Sequence, residues 1–137
     1  MQAIVYTDGA CRGNPGPSGV GVVVRDGDHQ VVETFAGYVG VTTNNHAEYQ
    51  ALIKGMQMAL ALGCTEVSLR LDSQVVVCQV RGEYRVKDTR LQQMHAWATD
   101  LLDRFDHWEI THVQREMNAQ ADQLANDGID NHLKLGA

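Results

Sequence analysis

The hydrophobic pattern of this chain changes period part-way along. Residues 3–7 (AIVYT) form a short apolar run that predicts a buried strand, and Asp8-Gly9 after it predicts a turn. A loop rich in Gly and Pro covers residues 13–19. Residues 21–25 and 30–35 are β-branched runs separated by Asp26, Gly27 and Asp28, a pattern that predicts a hairpin. From residue 45 to residue 62 the apolar residues Leu52, Met56, Ala59 and Leu62 recur at helical spacing, with Gly63 placed to end the helix. Residues 66–71 alternate as a strand, and residues 73–80 predict a short helix despite three consecutive valines. Asp88 is placed to cap a helix running to about residue 105. Residues 108–113 predict a fifth strand, and Asn118 is placed to cap a last helix whose apolar face holds Ala121, Leu124 and Ala125. A hairpin followed by β/α alternation predicts an α/β fold, one mixed sheet with helices packed on it.

Composition narrows the class. A chain of 137 residues with 44% hydrophobic residues can build one domain with a real core. Residues 1–130 are expected to form that domain and residues 131–137 a tail without a readable motif. The first residues do not match a secretion signal, and no apolar run reaches membrane-spanning length, so a cytoplasmic, monomeric protein with no membrane partner is expected. Cys11, Cys64 and Cys78 match no zinc spacing and are expected to be reduced thiols, with Cys11 beside the site. His29, His46, His95, His107 and His132 likewise suggest no metal site, and Trp97 and Trp108 are expected in the core. The net charge of −6 argues against a polyanionic partner unless the acids have a local task. Positive charge gathers at Arg81, Arg85, Lys87 and Arg90, a cluster that by itself fits a solvated face.

Four acids change that picture: Asp8, Glu48, Asp72 and Asp122. Each has an ordinary structural reading. Asp8 suits a turn, Glu48 a capping box with Asn45, Asp72 a helix cap, and Asp122 the first turns of its helix. All four nevertheless follow a strand end or lie near a helix start, the edges that meet on one side of an α/β sheet. Carboxylates gathered there repel unless cations neutralise them. Hard oxygen ligands suit Mg²⁺ or Mn²⁺, and two such ions roughly 3.5–4 Å apart can clamp an in-line phosphodiester displacement. The Gly-rich loop lacks the Lys-Ser/Thr of a nucleotide-binding loop and the spacing of a dinucleotide fingerprint, so no organic cofactor is expected.

Residues 6–19 (YTDGACRGNPGPSG), 42–52 (TTNNHAEYQAL), 72–77 (DSQVVV) and 115–126 (REMNAQADQLAN) each carry one of these acids. With those four blocks in that order, the sequence resembles the type 1 ribonuclease H family, in its protrusion-free form found in archaea and many bacteria. The resemblance implies a ribonuclease H-like five-stranded mixed sheet with helices on both faces. It implies a metal-dependent endonuclease that cuts the RNA strand of an RNA–DNA hybrid, leaving 5′-phosphate and 3′-hydroxyl ends. It also implies a site for two divalent ions on Asp8, Glu48, Asp72 and Asp122. Asn14, Thr43, Asn44 and Asn45 match positions that read the minor groove and hold the DNA phosphates. Amides both donate and accept, which suits 2′-hydroxyls and base edges.

The sequence departs from well-known members in two places. Residues 113–118 (VQREMN) form a short loop with no histidine, so Arg115 is the candidate to reach the scissile phosphate or product. Residues 81–87 (RGEYRVK) lead straight to Asp88 without a basic protrusion, and Tyr84 and Lys87 are the remaining candidates for the DNA strand. The competing readings are a ribonuclease that also cuts double-stranded RNA, a nuclease acting on DNA, and a non-catalytic hybrid-binding module.

Overall fold

The computed structural model describes residues 1–135. Strand β1 (Gln2–Cys11) pairs antiparallel with β2 (Gly16–Arg25), and β2 pairs antiparallel with β3 (Val31–Thr42). On its other edge β1 pairs parallel with β4 (Glu66–Leu71), which pairs parallel with β5 (His107–His112). The sheet order is therefore β3-β2-β1-β4-β5, a mixed five-stranded sheet. The helices are α1 (Asn44–Ala61), α2 (Gln74–Val80), α3 (Thr89–Leu102) and α4 (Ala119–Leu135), the last preceded by a 3₁₀ turn over Arg115–Asn118.

Residue parity along β2 separates the two layers of helix. A Cβ on Gly19 or Gly21 would run into the backbone of α4, while Val22, on the opposite face, lies against Gly55 of α1. Helices α1 and α4 thus sandwich the central strands, and α3 packs beside α1. Val5, Val22, Val24, Leu52, Met56, Leu69 and Val76 fill the core under α1. Each such side chain contributes about 1.5–3 kcal/mol by leaving water. Helix α1 ends as its sequence predicts. Gly63 has a φ of 80°, its N–H donates to Leu60 O, and Cys64 N–H donates to Ala59 O.

Several sequence expectations need correction. Asp8-Gly9 makes no turn: β1 continues to Cys11, with Asp8 paired to Gly21 and Gly9 to Val20. Strand β2 supplies the partner groups that keep this stretch extended. Helix α1 is capped by Thr43, whose hydroxyl accepts from His46 N–H at 3.3 Å, so Asn45 is inside the helix and Glu48 has no capping task. Ser73, not Asp72, caps α2. Asn118 is buried and caps nothing; its amide donates to Thr7 O at 2.9 Å. Trp97 is 48% exposed, because α3 sits at the rim and buries Ala98, Leu101 and Leu102 instead. Trp108 does pack against the core. Helix α4 continues to Leu135, and His132 stacks on Tyr38 with ring centroids 3.6 Å apart. Residues 136 and 137 lie outside the described part.

Candidate active site

The ladder between β1 and β4 stops at Tyr6 and Arg70. Beyond it β1 keeps a partner on the β2 side only, and Asp8 stands at this opening. Asp8 pairs with Gly21 and so shares the face of the sheet that α4 covers. Helix α4 brings Asp122 in its first turn to that face. Glu48 arrives from the first turns of α1, across the opening, and Asp72 follows directly on the end of β4. Two glycines allow these approaches. A Cβ on Gly9 would lie 2.5 Å from Glu48 N, and a Cβ on Gly21 would lie 2.6 Å from Ala125 N. Only a residue without Cβ lets α1 and α4 sit this close to the strands.

Carboxylate oxygens of Asp8, Glu48 and Asp72 all lie within 4.8 Å of one another. Asp122 joins them in lining a cleft of about 410 Å³, together with Gly9, Cys11, Asn44, Ser73, Arg115 and Asn126. Asp8 and Glu48 are each 4% exposed. Burial first, and the Glu48 charge second, push the Asp8 carboxyl up to about 11. Glu48 is raised to about 8, again chiefly by burial, although hydrogen bonding to Asp8 opposes the rise. One oxygen of Glu48 is buried without a hydrogen-bond partner. Buried carboxylates sharing a site, with an oxygen left unpartnered, form a hard-oxygen donor set that fits a divalent cation.

The sequence matches the Reverse transcriptase-like family over residues 6–128. It is 45% identical over 125 residues to the ribonuclease HI of Halobacterium salinarum, a match that covers 91% of this chain and 63% of the relative. It is 37% identical over 148 residues to a ribonuclease H of Acidovorax, covering 96% of this chain and 97% of that protein. This chain belongs to the type 1 ribonuclease H family. A bifunctional protein of Mycobacterium tuberculosis is 40% identical, but the match covers only 36% of its length. The chain therefore spans less than two thirds of several of the relatives it matches. Among solved structures, RNase H1 from Halobacterium salinarum superposes with a TM-score of 0.94 at 43% identity, covering 96% of this chain and 99% of that one. LC11-RNase H1 in complex with an RNA/DNA hybrid superposes with a TM-score of 0.91 at 40% identity, over 96% of this chain and 99% of that one.

In this ribonuclease H-family chain the remaining candidates divide into those near the acids and those away from them. Asn14, Thr43, Asn44 and Asn45 line a second groove of about 460 Å³, which meets the acidic cleft at Asn44. The Asn14 side-chain oxygen accepts from Asn44 N–H at 3.0 Å, so the Gly-rich loop is tied to the start of α1. Arg115 lines the acidic cleft. Tyr84 and Lys87 line neither cavity, and Tyr84 is 48% exposed. Cys11 lines the cleft, whereas Cys64 and Cys78 are buried free thiols. Among the described residues, no helix is long and apolar enough to cross a membrane.

Sequence reasoning missed two features of the site. Asn126 lies one turn after Asp122, donates to its carbonyl at 3.0 Å and accepts from Arg12. Its i+4 spacing from Asp122 was the available signal. Asn118 joins the β1 segment next to Asp8 to the start of α4, and nothing in the local sequence distinguishes that role from a helix cap.

Proposed function

We propose that this protein is a metal-dependent endoribonuclease that hydrolyses the RNA strand of RNA–DNA hybrids, leaving 5′-phosphate and 3′-hydroxyl ends. The observation that carries this reading is the convergence of Asp8, Glu48 and Asp72 at the open edge of β1. Asp122 lies in the same cleft. The hybrid-bound relative supports the choice of duplex.

Asp8, Glu48, Asp72 and Asp122 hold two divalent ions, with Mg²⁺ as the expected metal and Mn²⁺ as a substitute. Bound there, the ions supply Lewis-acid activation of the attacking water and charge stabilisation of the leaving oxygen. The residues of this chain do the rest. Asn14, Asn44 and Asn45 face the minor groove, where their amides meet 2′-hydroxyls and base edges. Such contacts recognise the kind of duplex rather than its sequence, so cleavage is expected at many positions. The reaction breaks the bond between phosphorus and the 3′ oxygen, and the attacking water oxygen becomes part of the 5′-phosphate. Arg115 places a guanidinium at the cleft, where it stabilises charge on the phosphate. Arg115→Ala is expected to lower kcat by about 10–100-fold with KM little changed, measured by steady-state cleavage. Unchanged turnover would leave charge stabilisation to the ions and the acids.

The test is cleavage of an end-labelled hybrid with Mg²⁺, with Mn²⁺ and with EDTA, beside matched double-stranded RNA and DNA. RNA cut in the hybrid, only with metal, and lost in Glu48→Gln, is the expected result. Comparable cutting of double-stranded RNA would widen the substrate class. A hybrid bound but left intact under every metal condition would make the protein a binding module.

A further inference from the structure

Asp72 follows β4, yet neither ladder of β4 reaches it. The pairing with β1 ends at Arg70, and the pairing with β5 ends at Leu71. The position of Asp72 is therefore set by what comes after it, helix α2. That helix has 7 residues, about two turns, so an anchor at its far end governs both ends. One anchor is Arg81, which donates to Ile110 O from Nε at 3.1 Å and from Nη2 at 2.7 Å. Another is Gln79.

Gln79 and Tyr49 are both buried, Tyr49 completely. The Tyr49 hydroxyl donates to Gln79 Oε1 at 2.7 Å. The Gln79 carbonyl lies 3.0 Å from His95 Nε2; a carbonyl only accepts, so that nitrogen carries the hydrogen. The His95 ring meets the Tyr49 ring edge-on, with centroids 6.4 Å apart. Helices α1, α2 and α3 thus meet at Gln79. Core packing does not call for a polar pair here. Phe and Met would fill similar space with no hydroxyl or amide to desolvate. What a buried hydrogen bond adds is a fixed distance and direction. The two partners sit on the elements that carry the acids: Tyr49 directly follows Glu48, and Gln79 belongs to the helix that starts just after Asp72.

We propose that Tyr49 and Gln79 are positioning residues: their buried bond sets the spacing of Glu48 and Asp72, and through it the affinity of the site for divalent metal. Carboxylate oxygens of these two acids lie within 4.8 Å of each other and of Asp8. Glu48 rides on α1 and Asp72 on the start of α2, so a slide of α2 along α1 changes their spacing directly. Asp8 is fixed in the ladder between β1 and β2 and does not follow. A small divalent cation such as Mg²⁺ accepts oxygen ligands over a narrow range of distance. Hydrogen bonds that support metal ligands are typically worth about 10–100-fold in metal affinity or activity. This assignment rests on the metal-dependent nuclease reading, and its first readout is metal binding alone.

The experiment titrates Mn²⁺ into the metal-free protein by calorimetry, beside melts in EDTA and steady-state hybrid cleavage. Tyr49→Phe keeps the ring and removes the donor. Gln79→Met keeps the length and removes the acceptor, so it tests the same bond from the other helix. Each is expected to weaken Mn²⁺ binding by about tenfold. At limiting Mn²⁺, kcat should fall with it and recover as Mn²⁺ is raised, with KM for the hybrid unchanged. The double variant should bind Mn²⁺ no more weakly than either single variant, because both act through one bond. Its Tm should nevertheless return toward wild type, since no buried partner is left unpaired. Met58→Ala controls for lost stability alone. Met58 is buried on the same helix as Glu48, and its truncation should lower Tm with Mn²⁺ affinity unchanged. Wild-type Mn²⁺ affinity in Tyr49→Phe or in Gln79→Met would overturn the assignment, and so would an equal loss of affinity in Met58→Ala. A wild type that binds Mn²⁺ but leaves the hybrid intact would overturn the nuclease reading, while the expected Mn²⁺ affinities of the variants would still uphold the positioning role. A wild type that binds no Mn²⁺ would overturn both.

Discussion

Asp8→Asn is expected to abolish hybrid cleavage, by about 10³-fold or more, and at the same time to make the metal-free protein more stable at pH 8. The two effects have one cause. Asp8 and Glu48 are buried together, and their carboxyls are raised to about 11 and about 8 from ordinary values of 3.8 and 4.5. Between the ordinary and raised values the folded protein holds more protons than the unfolded chain. Stability therefore falls as pH rises through that window. The metal-free protein is expected to melt higher at pH 5 than at pH 8. Divalent metal reverses the trend, because it binds the deprotonated site of the folded state. Asparagine cannot ionise, so Asp8→Asn removes part of the pH slope. At pH 8 in EDTA its gain should be about 1–3 kcal/mol, or roughly 3–10 °C in Tm. Thermal melts in EDTA from pH 5 to pH 9 measure both quantities. An Asp8→Asn protein that melts below wild type at pH 8 would show that the cluster does not carry this repulsion.

The same cluster shows what a sequence can and cannot disclose. The four acids stand out because the sequence pattern places each near an expected strand end or helix start, and the strand pattern over residues 66–71 locates Asp72 directly. Hydrophobic period also found α1 and α4, since their buried faces are long enough to set a helical repeat. The local sequence ends the strand at Asp8, because Asp-Gly is a strong turn signal and β2 lies outside its local sequence. Tertiary pairing overrides the local preference there. The sequence leaves the caps ambiguous by a residue or two for a related reason. Thr43, Asn44 and Asn45 are all good caps, and so are Asp72 and Ser73, so only the observed bonds choose among them. That choice matters for function, because capping by Thr43 and Ser73 leaves Glu48 and Asp72 free for the cleft.

Gly9→Ala is expected to cost both the fold and the site. Gly9 follows Asp8 and points to the α1 face of the sheet, away from Asp122. A methyl group there overlaps the peptide that joins Ala47 to Glu48, with the Glu48 nitrogen 2.5 Å from the new carbon. These are backbone atoms in a helix, so no side chain can turn aside to relieve the contact. Strand β1 is held by β2 as far as Cys11 and by β4 on its other edge as far as Tyr6, which leaves α1 as the element that moves. Overpacking of this kind costs about 1–3 kcal/mol or more, and should lower Tm by roughly 3–10 °C. The displacement acts on Glu48 itself, so metal affinity should fall with stability. A shift of about 1 Å at a catalytic group can cost 10²-fold in rate. Gly27→Ala is the matching control. Its Cβ would meet nothing closer than Gln2 Oε1 at 3.9 Å, so stability should stay within about 0.5 kcal/mol of wild type. Calorimetric titration with Mn²⁺, melts in EDTA and hybrid cleavage separate the effects. A Gly9→Ala protein that folds with wild-type Tm and binds Mn²⁺ normally would mean that α1 can retreat from β1 without moving Glu48. The close approach at Gly9 would then be a packing detail rather than the feature that sets the spacing of the acids.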